Sequence, residues 1–203
     1  MVRLLAFIGV LAILAAAAGA VFFLGGFYNV AATAEDTGFV GWALAQTRAA
    51  SIARHATDMP PVSLEDPATV QAGAHAFNER GCVHCHGAPG VMWSKFSEGL
   101  NPDPPDLKDI ANEIEPRQAF WAVKNGIKMS GMPSFGAQDV PDREIWQIVA
   151  FVKKLPTVSP DDFKSWTSQP TQPGSPPAAT PPAANSPAAN PPAGNPPAAN
   201  PPR

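Results

Sequence analysis

The stretch RGCVHCHGAPG, Arg80 to Gly90, holds the only two cysteines of the 203-residue chain, Cys82 and Cys85, with His86 immediately after the second. Two thiols three positions apart have three chemical uses: a redox disulfide, half of a zinc site, or covalent attachment of a haem. A thioredoxin-type disulfide belongs in a strand–helix–strand setting that the flanking sequence does not offer. Zinc needs a full ligand set, and beyond this stretch only His55 and His75 remain to complete one. Haem attachment uses every element of the stretch, since two thiols add to the two vinyl groups of a porphyrin and the adjoining imidazole is left beneath the iron.

The elements that must position these groups read as helices. Asp66 and Pro67 mark a helix entry, followed by Val70, Ala74 and Phe77 on one face up to about Arg80. A second helix opens at Glu115-Pro116, carries Ala119, Phe120 and Val123, and stops at Gly126. A third starts with Asp142 as its cap, and Ile145, Trp146, Ile148, Val149, Phe151 and Val152 make it apolar on most sides. No segment alternates with period two. Three main helices with Pro- and Gly-rich loops make a small all-α core, marginal unless a large group fills its centre.

Outside this core the chain changes character twice. Leu4 to Tyr28 is uncharged over 25 residues, and as a helix it reaches ~37 Å, enough for a hydrocarbon core of ~30 Å. Residues 1–30 therefore read as a transmembrane anchor. Ala32-Thr33-Ala34 offers a cleavage site for the rival reading as a signal peptide, but the apolar run is longer than such segments use. Arg3 before the span and Glu35 and Asp36 after it favour a cytoplasmic start and an exported remainder. Residues 31–63 read as a juxtamembrane helix, Thr37 to His55, and a linker whose Pro60-Pro61 blocks helix continuation. Residues 64–165 form the folded domain. Residues 166–203, with five-residue units such as PPAAN, read as a tail without a core, disordered or polyproline-like. Residues 60–166 carry 14 acids against 10 bases with no basic block, which argues against a nucleic-acid partner.

From about residue 67 to 157 the chain resembles class I c-type cytochromes, especially the membrane-anchored bacterial single-haem kind. CVHCHG carries the resemblance, together with NGIKMSGMPSFG, Asn125 to Gly136, just before the last helix. The resemblance implies one covalent haem c on Cys82 and Cys85, with His86 and a methionine as axial iron ligands. Met132, directly before Pro133, fits the family pattern, and Met129 is the alternative. It further implies that Pro105, in PPDL, accepts the other N–H of His86, that Leu107 lies against the porphyrin, and that Gly73 and Phe77 mark a helix crossing opposite Trp146. His84 is expected to face solvent without a partner, and His75 to be an exposed helix residue.

With both axial positions filled, the expected role is electron transfer between redox complexes in or at the membrane, not catalysis. The implied setting is a bacterial inner membrane crossed once, with the haem domain in the periplasm. Two other readings stay open. One is a fixed cytochrome subunit of a larger membrane dehydrogenase or oxidase; the other is a haem peroxidase or sensor from which Met132 dissociates.

Overall fold

The computed structural model describes residues 1–34, 36 and 38–168, and no β-strand occurs among them. Helix α1, Val2–Leu24, buries none of its residues against the rest of the protein. Its most apolar 18-residue stretch has a mean hydropathy of 2.6, and at 23 residues the helix extends about 35 Å. An apolar cylinder of that length left uncovered by its own chain is compatible with a single membrane span. Helix α2, Gly38–His55, follows.

The domain is organised by three helices. Helix α3, Pro67–Glu79, starts where Asp66 accepts the N–H of Thr69, with Pro67 in the first turn. A single turn, α4, Cys82–His86, lies directly beyond it. After α5, Leu107–Ile110, comes α6, Pro116–Asn125, capped by Glu115, whose carboxylate accepts from Arg117 N and Gln118 N. Helix α7, Asp142–Lys154, begins one residue earlier than the sequence suggests. Pro141 is its cap, without a side-chain bond, and Asp142 is the first helical residue, where its charge meets the helix dipole.

Helix α7 is apolar all round because it has two neighbours. Ile148, Phe151 and Val152 pack with Val70, Ala74 and Phe77 of α3. Ile145, Trp146 and Val149 pack with Phe120 and Phe135. At the α3 crossing a Cβ on Gly73 would lie 1.9 Å from Gln147 O and 3.0 Å from Phe151 Cβ. Only the absence of a side chain allows the two backbones so close. The residue opposite Gly73 is therefore Gln147, not Trp146; Trp146 faces the other way and stacks on Phe120, ring centroids 4.2 Å apart.

A further helix, α8, Pro160–Ser168, was not expected. Its Phe163 is buried and stacks on Phe151 at 5.6 Å, and Trp166 covers the same cluster. Folded structure therefore extends past the 165/166 boundary, since the ring of Phe163 and the indole of Trp166 close the outer side of the α3–α7 pair. The tail expected beyond this helix lies outside the described residues.

The linker also differs from a free tether. Ala56 is buried, Val62 packs on the core, and His55, just before the linker, stacks on Trp121 of α6 at 6.0 Å. The apolar members of the linker have core surface within reach, so burial decides their place.

Candidate functional site

Helix α4 is a single turn bounded by Gly81 and Gly87. On a helical turn residues i, i+3 and i+4 share a face, so Cys82, Cys85 and His86 are presented together. The cysteines are both half-buried and carry free thiols. Cys82 packs against both apolar clusters at once. Burial pushes its thiol up to about 12, with a smaller upward push from Cys85, so it is held protonated.

His86 Nδ1 lies 2.9 Å from Pro105 O. A carbonyl only accepts, so Nδ1 carries the hydrogen and Nε2 keeps a free lone pair. Burial lowers the imidazole's pKa, opposed by the Pro105 bond and the nearby Asp106 charge. A neutral ring with its Nδ1–H fixed by a carbonyl is the form that ligates a metal through Nε2.

Two clefts flank the imidazole. One, about 250 Å³, is lined by Cys85, His86, Trp93, Ser97, Pro104 and Pro105, with Glu98, Asp103 and Asp106 as its acidic members. The other, about 190 Å³, runs from His86 along Gly87 to Trp93 and reaches Leu155. His86, Trp93 and Asp106 belong to both. Sequence reading missed Trp93 and Asp106, although a tryptophan in a loop just beyond CVHCHG was a signal for it.

The methionine loop is fastened to the end of α6. Gly126 has φ +69°, and a Cβ there would come within 2.9 Å of Met132 O and 2.7 Å of Ser134 N. The loop folds directly over that glycine, held by Ile127 N to Met132 O at 3.2 Å, Ser134 Oγ to Lys124 O at 2.7 Å and Phe135 N to Val123 O at 3.1 Å. Ser130 Oγ donates to Ile127 O and accepts from Met132 N. The two methionines differ sharply in setting. Met132 packs on the Phe120–Trp146 cluster, which Cys82 also touches, whereas Met129 is 84% exposed. Neither lines the clefts beside His86.

Leu107 packs on the α3–α7 cluster with Leu155 and is absent from the lining of both clefts. The other histidines need two corrections. His84 is exposed but has a partner, Ser94 Oγ, 3.2 Å from its Nδ1, because the chain doubles back with Ser94 N bonded to His84 O. The side chain of His75 is only 14% exposed and pairs with Glu79 one turn on, at 3.2 Å.

Among the described residues no three His, Cys, Asp or Glu side chains converge as a metal cage. Two unbonded thiols one turn apart, beside an imidazole with its Nε2 free, do fit a covalently held haem. Residues 68–152 match the family described as cytochrome c oxidase, cbb3-type, subunit III, a span that begins inside α3, includes the Cys82–His86 turn and the methionine loop, and ends within α7. No curated protein and no solved structure matches the chain.

Proposed function

We propose that this protein, whose residues 68–152 are a c-type cytochrome domain, carries single electrons between redox partners at a membrane and performs no bond chemistry of its own. The observation that carries the reading is the turn Cys82–His86 with His86 Nδ1 on the Pro105 carbonyl. Haem c, when bound, supplies a one-electron iron couple. Cys82 and Cys85 would hold it through two thioether bonds. His86 would ligate the iron through Nε2, with the Pro105 carbonyl fixing the plane of its ring. Met132 would be the second iron ligand, because it is packed on the core while Met129 stands in solvent. The uncovered apolar α1 supports a single-pass anchor. With Arg3 before the span and no Lys or Arg from Leu4 to Thr47, it supports an inner-membrane protein whose haem domain faces the periplasm.

Within that role a fixed subunit is favoured over a shuttle. His55 and Ala56 seat the end of α2 on α6, and Asn101 Nδ2 donates to Ala32 O and Ala34 O at 3.2 and 3.3 Å. The domain is thus attached to its juxtamembrane segment at two places, which suits a partner held at a constant position in the same membrane.

Purified protein should give a haem stain that survives denaturing electrophoresis and disappears in Cys82→Ala/Cys85→Ala. Retained zinc with no Soret absorption would overturn the reading. Met132→Ala should remove the methionine-to-iron charge-transfer band of the oxidised protein and admit carbon monoxide to the reduced one. The same result from Met129→Ala alone would transfer the ligand role to that residue. Copurification of an oxidase or dehydrogenase after gentle solubilisation decides for the fixed subunit; recovery of the chain alone decides for the shuttle.

A further inference from the structure

The ammonium of Lys153, in the last turn of α7, is enclosed by backbone carbonyls. Its Nζ donates to Ala111 O at 2.5 Å, Ile114 O at 3.0 Å and Asn112 O at 3.5 Å. An ammonium has three hydrogens, and three carbonyls receive them. These carbonyls close the segment that begins at Pro105. Asp106 caps α5 by accepting Lys108 N at 2.8 Å, Leu107 sinks into the α3–α7 cluster, and the backbone N–H groups of Glu113 and Ile114 both go to Ile110 O. A four-residue helix leaves its last carbonyls without partners inside the helix, and Ala111 is fully buried, away from the water that would otherwise satisfy its carbonyl.

We propose that Lys153 is a positioning residue for the axial histidine: by binding the carbonyls at the end of the 105–114 segment it fixes α5, and so holds the Pro105 carbonyl against His86 Nδ1. Leu107 secures the start of the segment by burial, which is non-directional and leaves the segment free to rotate about that point. Lys153 supplies directional bonds at the other end, so both ends are fixed and the carbonyl one residue before the Asp106 cap keeps its aim. The adjacent Lys154 gives an internal control, because its ammonium pairs with Glu65 at the start of the domain and donates no hydrogen bond to this segment.

The inference rests on the haem reading above, and the test separates the two. In full-length, haem-loaded protein in detergent, the quantity to follow is the hydrogen-exchange rate of the His86 Nδ1–H, by NMR of ¹⁵N-histidine-labelled reduced protein. Lys153→Met keeps the aliphatic stem and removes the donors. It should speed this exchange about tenfold through local opening of the segment, while backbone amides of α3 and α7 stay protected. Lys154→Met should leave the rate unchanged. If Lys153→Met unfolds the domain, Lys153→Gln, which retains one donor group, decides: faster exchange than wild type supports the role. An unchanged rate in an intact Lys153 variant, or equal acceleration by Lys154→Met, overturns it. A wild-type protein without haem would instead defeat the site reading, before any variant is made.

Discussion

Where α3 crosses α7, Gly73, Phe77 and Phe151 are sealed from water and the two backbones touch. Around α4, His86, Trp93 and Met132 sit on that short turn and two loops, each only partly covered. The first region is held by apolar burial over many residues. The second depends on a few directional bonds: His86 to Pro105, Lys153 to the Ala111 carbonyl, and Ser130 and Ser134 within the methionine loop. A region closed by packing tolerates no added atom, whereas a region closed by single hydrogen bonds can receive a large planar group and keep its donors aimed. The contrast explains how one small domain is both rigid and open.

The sharpest way to break the contrast is to damage the sealed side. Gly73→Val places a side chain inside the Gln147 carbonyl, so α3 and α7 must separate, at a cost of about 3 kcal/mol or more. Thermal unfolding of this variant should show a large drop in midpoint, with haem attachment lost as a consequence of misfolding.

Phe163→Ala should come next, at about 3 kcal/mol, because it empties the space beside Phe151. It also tests whether α8 is integral to the domain. A chain ending after Ser168 should melt like the intact protein, whereas one ending after Ser159 should melt like Phe163→Ala or lower. Equal melting of all three would show that α8 contributes nothing to the core.

A smaller effect is expected from Glu144→Gln, which removes the ion pair between the ends of the crossing helices, Arg80 Nε to Glu144 Oε1 at 2.7 Å. The pair is partly exposed, so its loss should cost about 0.5 to 1 kcal/mol and should diminish in high salt. The smallest change belongs to the α3 cap. The Thr69 hydroxyl and N–H hold the Asp66 carboxyl below the usual aspartate range. A depressed folded-state value means that the stabilisation is complete above the ordinary aspartate pKa and disappears as pH falls through the lowered one. Asp66→Ala should therefore melt slightly below wild type at neutral pH, and the two curves should merge in acid. A gap that persists at low pH would assign the effect to something other than the carboxylate.

What could be read from the sequence was local. Asp66-Pro67 and Glu115-Pro116 announce helix starts because capping and proline act within one turn. The Cys82–His86 spacing announces a shared face for the same reason, and the uncharged run from Leu4 to Tyr28 needs only its length. What the tertiary structure alone decided was which distant residues meet. Gly73 lies against Gln147 and not Trp146 because the rotation of α7 about its axis is set by two partners, α3 and α6, and a helical wheel fixes only the apolar sides. His75 turns to Glu79 and loses most of its exposure, and α8 folds back on Phe151, for reasons of neighbouring surface that no local pattern encodes. Lys153 reads in sequence as one more cation at a helix end. Only the fold brings three carbonyls from some forty residues upstream around its ammonium, because the end of α7 and the loop after α5 are adjacent in space and far apart along the chain.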